Sequence, residues 1–182
     1  MRIKSLFLAM ALASGAMASE IPAQMPVSIQ APDTFYHRPP VEKRCFSSKA
    51  VEKQIKDMHK KLVEVSPKLW QMFQNSFPNT LDTTVFPDGD RTFVITGDID
   101  AMWLRDSGAQ VWTYIQYVKN DPELQQLIKG VILQQFEFIC LDPYANAFLN
   151  DTTQVSHWAS DYTLMKKGVH ERKYAIAPLC YP

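Results

Sequence analysis

The sequence predicts the all-α class with one short β-hairpin, and three observations lead there. Apolar residues recur at helical spacing in four stretches, Ser-Pro and Asp-Pro pairs open two of those, and the stretch from Thr80 to Thr96 alternates with period two. Helices joined by short links pack antiparallel, so the expected building unit is the helical hairpin.

The chain opens on a pattern unrelated to fold. Arg2 and Lys4 precede an apolar run, Leu6 to Ala13, and Ala16-Met17-Ala18 forms a small-x-small cleavage site. This predicts a signal peptide over 1–18, with Ser19 as the first mature residue and export to the periplasm or medium. The alternative is a membrane anchor, but the run stops at Ser19-Glu20, short of the about 20 apolar residues a span needs. No membrane attachment is expected after cleavage. Residues 19–43 are Pro-rich without period and end in Pro39-Pro40, so they read as a lead-in to a domain over 44–182.

The first helix carries Val51, Ile55, Met58, Leu62 and Val65 on one stripe, with lysines mostly off it and Ser47 or Ser48 as cap. Ser66-Pro67 ends it and starts a second, whose apolar side holds Leu69, Trp70, Met72 and Phe73. Pro87-Asp88-Gly89-Asp90 then turns a hairpin that ends in Thr92-Phe93-Val94-Ile95-Thr96. Leu104, Gly108, Val111, Ile115 and Val118 mark a third helix. Asp121-Pro122 caps a fourth, through Leu124, Ile128, Val131, Gln135 and Ile139 to a stop at Asp142-Pro143. A further short helix is expected around Asp161 to Lys167.

Composition narrows the function. Lys+Arg and Asp+Glu are both 19, so no bulk field draws nucleic acid or anionic lipid, and a neutral partner fits better. Cys45, Cys140 and Cys180 show no CxxC spacing, the four histidines are scattered, and HExxH, phosphate-loop and GxSxG patterns are missing. No metal or cofactor is expected, and each cysteine reads as a buried structural thiol.

The segment Thr96 to Ser107 concentrates polar and aromatic groups where the hairpin gives way to a helix. Asp98, Asp100, Arg105 and Asp106 offer acceptors and a forked donor around Trp103. Sugars are held this way, with carboxylates and guanidinium on hydroxyls and an aromatic face on the ring's C–H surface. The plainer alternative is a buried Arg–Asp pair at a helix start with Trp103 in the core. Tyr144 and Asn146, on the loop after the fourth helix, form a second candidate group. Glu171 and Arg172, in a Glu-Arg-Lys-Tyr run, form a third. Their alternatives are a helix-stop turn and a solvated charge run.

Together these segments resemble family 125 of the glycoside hydrolases. The likeness rests on TFVITGDIDAMWLRDS (92–107), FPNTLDTTV (77–85), DPYANAF (142–148) and ERKY…LCYP (171–182), in the family's order. The resemblance implies an (α/α)6 barrel of which this chain holds the first two to three helical hairpins. It also implies metal-independent, inverting removal of terminal α-1,6-linked mannose, so the expected partner is an α-mannoside glycan. Inversion needs two carboxyls flanking the glycosidic bond, and in the family pattern both lie beyond Pro182, so no catalytic residue is expected here. The positions that match are substrate-binding: Asp98, Trp103, Arg105, Asp106, Tyr144, Asn146, Glu171 and Arg172. Where the family has Glu-x-Asp-Ser after ERKY, this chain has Ala175-Ile176-Ala177-Pro178. A gene fragment is therefore expected, with the remainder encoded after codon 182 and apolar helix faces left open. The rival expectations are a secreted mannose-binding module without catalysis and an unfolded remnant.

Overall fold

Three side-chain caps start helices of the computed structural model, which describes residues 37–176 and Cys180. The expected signal peptide, and the lead-in up to residue 36, lie outside the described residues. Helix α1 (Lys49–Leu62) begins at Ser48, whose Oγ accepts from the Val51 N–H at 3.1 Å. Helix α2 (Pro67–Ser76) begins at Ser66, whose Oγ accepts from the Leu69 N–H at 3.3 Å. The second cap-plus-proline start, at Asp121-Pro122, is tied to the start of α1. Asp121 Oδ1 accepts from the Leu124 N–H at 3.0 Å, while Oδ2 accepts from Ser48 Oγ at 2.6 Å and the Ala50 N–H at 3.1 Å. One carboxylate thus closes the N-termini of two helices, where it also faces the positive ends of both dipoles.

The apolar stripes pack as expected for the most part. Val51 and Ile55 of α1 are buried, and Trp70 and Phe73 of α2 pack against the core. Leu69, Met72 and Val65 are exposed, the last because α1 ends at Leu62 and its stripe runs past the helix. An aromatic series from Trp70 through Phe73 and Phe77 reaches Tyr114 and Tyr117, joining α2 to the C-terminal part of the third predicted helix. Residues expected to begin the period-two stretch instead form a short helix α3 (Asn79–Thr83), in which Thr83 and Thr84 hydroxyls back-bond to Asn79 and Thr80 carbonyls.

Strands β1 (Val85–Asp88) and β2 (Arg91–Val94) form the predicted antiparallel hairpin, with Val85 opposite Val94 and Gly89 at φ 57° in the two-residue turn. Helix α4 (Leu104–Trp112) is shorter than its stripe. The chain continues as a 3₁₀ helix (Ile115–Asn120) because Tyr114 turns inward and donates its hydroxyl to the Phe77 carbonyl. Helix α5 (Pro122–Leu141) lies against β2, and Gly130 permits the approach: a Cβ there would meet Thr92 Oγ1 at 2.5 Å. Gln135, a polar break in the stripe, is buried and donates to the Leu104 carbonyl and Ser107 Oγ, both at 2.9 Å, which ties α5 to the start of α4.

Helices α1 and α2 pack together, as do α4 and α5. Three short strands, β3 (Met102–Trp103), β4 (Ala147–Phe148) and β5 (Val169–Glu171), add an antiparallel sheet in the order β3-β4-β5 that the sequence pattern does not announce. The helix expected over Asp161 to Lys167 does not form. Its N–H groups bond two or three residues back, as from Thr163 to the Asp161 carbonyl and from Met165 to the Thr163 carbonyl, so the segment is a run of turns.

Arg38 anchors the end of the lead-in. Its guanidinium meets Glu52 at 2.6 Å and Asp82 at 2.7 Å, and Arg44 shares Glu52 at 3.2 Å. Cys45 is half-buried, whereas Cys140 and Cys180 are exposed, contrary to the expected burial; all three are free thiols. On the outer side of α4 and α5, Trp112, Ile115 and Ile132 line a groove of about 430 Å³, and Phe136 is exposed beside Ile132. Among the described residues no helix is long and apolar enough to cross a membrane.

Asp121→Ala should lower stability by about 2–4 kcal/mol, because two helix caps are lost together; Asp121→Asn should lose less. Burial opposes the charge of Asp121, but the Ser48 hydroxyl and the Leu124 and Ala50 amides outweigh it and hold the carboxyl below its usual range. Its contribution is therefore present at neutral pH and lost as the pH falls below about 4. Denaturant melts of both variants at pH 7 and pH 3 check this, and a wild-type-like Asp121→Ala would contradict it.

Candidate functional site

The β3-β4-β5 sheet collects the three segments that carried the candidate residues. Trp103 pairs with Ala147, and Ala147 with Glu171. Asn146, 1% exposed, sits at the junction. Its carbonyl accepts from the Leu104 N–H at 3.1 Å, its N–H donates to the Glu171 carbonyl at 2.8 Å, and its Oδ1 accepts from the Lys173 N–H at 2.9 Å. A buried amide satisfied on three sides fixes the geometry of three distant chain segments.

Beside this sheet lies a cleft of about 490 Å³. Asp98, Ile99 and Asp100 reach it from a tight turn in which Thr96 and Ile99 bridge and Gly97 takes φ 63°. Trp103 lines it from β3, half-buried, with its indole edge-on to His170 at 5.2 Å. Gln154, Val155, His157 and Trp158 line the facing side from the loop between β4 and β5. His170, 4% exposed, completes the lining from β5, and the His157 ring lies 6.2 Å away. Ser156 Oγ donates to the His170 carbonyl and accepts from the Trp158 N–H at 3.0 Å, which pins this loop to the sheet.

Of the predicted residues, Asp98 and Trp103 line the cleft. Arg105 and Asp106 stand in the first turn of α4 and pair with each other at 3.1 Å, partly exposed rather than buried, and they do not line the cleft. Asn146 is the sheet junction described above. Arg172 donates from Nε to Asp142 Oδ2 at 2.8 Å, with its guanidinium 4.5 Å from the Tyr174 ring centre and 5.7 Å from that of Tyr144. Asp142 Oδ1 accepts from the Tyr144 N–H at 3.0 Å, so this cluster fastens the end of α5 to the chain after β5. Glu171 is half-buried, with the Lys173 ammonium 3.6 Å away. Tyr174 takes φ 54°, a left-handed conformation for a bulky residue.

Gln154, His157, Trp158 and His170 line the cleft without having been read from the sequence. The adjacent pair His157-Trp158 was a weak signal, and only the fold shows that His170 stands against Trp103. Among the described residues, no group of three or more His, Cys, Asp and Glu gathers as metal ligands. The cleft offers two carboxylates, an amide, two imidazoles and two indoles. That set suits a neutral polyhydroxylated ring, whose hydroxyls need paired donors and acceptors and whose C–H face seeks an aromatic surface.

The framework of paired helices is that of the (α/α)6-type glycoside hydrolases. More narrowly, residues 66–182 match the sequence pattern of the metal-independent alpha-mannosidases, GH125, and the chain belongs to that family. It is similar to the Meiotically up-regulated gene 157 protein of Schizosaccharomyces pombe, 42% identical over 118 residues, a match covering 62% of this chain and 23% of that protein. It is also similar to a Streptococcus pneumoniae metal-independent alpha mannosidase solved in a non-productive substrate complex with alpha-1,6-mannobiose. There the TM-score is 0.69 at 36% identity, over 75% of this chain and 32% of that one. The chain thus spans a third or less of the length of both relatives.

Burial pushes His170 below the usual histidine value; His157 adds to this, while Glu171 and Asp100 oppose it. The imidazole is therefore neutral in the folded chain at pH values where it is charged when unfolded. Stability linked to it is full above about pH 6.5 and falls as the pH drops below that. Titration of the His170 Cε1–H resonance by NMR should give a midpoint below about 6.5, and a midpoint at or above that value would contradict the described burial.

Proposed function

We propose that this chain supplies sugar-binding surface to an α-mannosidase that removes terminal α-1,6-linked mannose, with inversion and without a metal. The observation that carries the reading is the cleft of Asp98, Asp100 and Trp103 in a GH125 chain. The alpha-1,6-mannobiose complex of the similar Streptococcus pneumoniae protein supports the choice of glycan.

In this reading Trp103 covers the C–H face of mannose, and Asp98 and Asp100 accept from its hydroxyls. Inversion places two carboxyls on opposite faces of the sugar, one protonating the leaving oxygen and one activating water. Asp98 and Asp100 both reach the cleft from one turn, two residues apart. The general acid and base are accordingly assigned outside residues 1–182, and this chain by itself binds without turnover.

The test is saturation-transfer NMR on the purified chain with methyl α-mannoside, paired with an assay of an aryl α-mannoside. Saturation of the sugar is expected, reduced at least about tenfold in affinity by Trp103→Ala, with no mannose released. Release of mannose would overturn the placement of the acid and base. Absence of saturation transfer would overturn the cleft as the sugar site.

A further inference from the structure

The wall of the cleft that faces Trp103 is irregular chain between β4 and β5, and it is seated on the sheet through Ser156. The Ser156 hydroxyl bonds to the His170 carbonyl and to the Trp158 N–H, in the midst of the lining residues Gln154, Val155, His157 and Trp158. His157, next to that seat, faces His170 across 6.2 Å between ring centres. The point that holds the loop and the pair of imidazoles therefore coincide.

His170 is packed as an uncharged group. It is 4% exposed, the Trp103 ring stands edge-on at 5.2 Å, and its Nδ1 is buried with no hydrogen-bond partner among the described residues. An imidazolium carries two N–H donors, and burying one without an acceptor is unfavourable. The charged groups around the ring do not fill that place. Asp98 and Asp100 line the cleft from the turn before β3, Glu171 on β5 is met by Lys173 at 3.6 Å, and His157 faces the ring from the loop. Burial and His157 oppose a charge on His170 more strongly than Glu171 and Asp100 favour it. A proton on His170 is relieved by displacing the loop, which takes His157 away and admits water to Nδ1. The loop is the element able to yield. Val155, Tyr162 and Leu164 on it are exposed, and its ties to Lys173, through Trp158 and Asp161, are partly exposed. The strands β3, β4 and β5 are paired in a sheet.

We propose that His157 and His170 form a pH-operated latch for the loop between β4 and β5, which is seated at neutral pH and leaves the sheet in acid, opening the cleft. The proton prefers the open form, in which His170 is hydrated and His157 is distant, and this preference shifts the population toward it. The latch itself does not depend on what the cleft binds. Its consequence for a ligand rests on the reading of the cleft as a mannoside site: glycan is held at neutral pH and released in acid.

The experiment follows the purified full chain by NMR between about pH 7.5 and about pH 4.5, a range that brackets the ordinary histidine value. Overhauser contacts from Ser156 and His157 to His170 should be present at the upper end and lost toward the lower, while the amides of α5 stay protected. His170→Phe, which keeps a ring against Trp103 but takes up no proton, should keep the contact of Ser156 with residue 170 across the whole range. His157→Gln, which removes the neighbouring cation, should retain more of that contact in acid than the wild type. Contacts that persist in the acidified wild type, or an equal acid loss in His170→Phe, would overturn the latch. Should His170→Phe not fold, His157→Gln decides, and a loss as complete as in the wild type overturns the proposal. Loss of α5 protection together with the contacts would mean that the whole chain unfolds, which also overturns it. Methyl α-mannoside titrated over the same range should bind more weakly as the contacts disappear. A latch that operates in a chain binding no sugar at any pH would sink the mannoside reading alone.

Discussion

The buried amide of Asn146 is the constraint on which the site depends. Its carbonyl holds the start of α4, while its N–H and Oδ1 hold the end of β5 at Glu171 and, two residues on, Lys173. Without that junction, Trp103, His170 and Lys173 belong to stretches with no sequence reason to meet. A satisfied buried amide contributes about 1 kcal/mol per hydrogen bond, but leaving its partners unpaired costs more, so the geometry is fixed more firmly than the net energy suggests. The scaffold beneath relies on similar economy: Asp121 caps α1 and α5 with one carboxylate, and Gln135 joins α5 to α4.

Function follows from which groups this framework turns toward one space. A shallow turn delivers carboxylates, a two-residue strand delivers an indole, and a long irregular loop delivers the facing wall. The cleft therefore combines rigid and loop-borne elements. The outer faces of α4 and α5, with Trp112, Ile132 and Phe136 exposed, are as apolar as a seam between packed helices.

Much of the scaffold was legible in the sequence because helices announce themselves twice, through stripes and through caps. Ser48, Ser66 and Asp121 all cap where the pattern placed them, and Gly89 turns the hairpin. The stripes overran at Val65 and at Ile115, since apolar spacing continues where the backbone has already left the helix. The β3-β4-β5 sheet was invisible because strands of two or three residues are too short to show a period. The three segments chosen for their chemistry turned out to be the segments this sheet assembles, but their roles divide. Asp98 and Trp103 face the cleft, whereas Asn146 and Arg172 hold the backbone. Residue type alone does not separate a polar group that binds a ligand from one that binds the chain. His170 and Trp158 went unread for the complementary reason: each is isolated in sequence and gains meaning only from its neighbours in space.

Amide hydrogen exchange at Lys173 tests this account most directly, comparing the wild type with Asn146→Ala. The account predicts a Lys173 N–H protected in the wild type and exchanging at least about tenfold faster in the variant, the equivalent of one lost buried hydrogen bond. Equal exchange in the two proteins would mean that the Asn146 side chain does not hold the chain after β5 to the sheet.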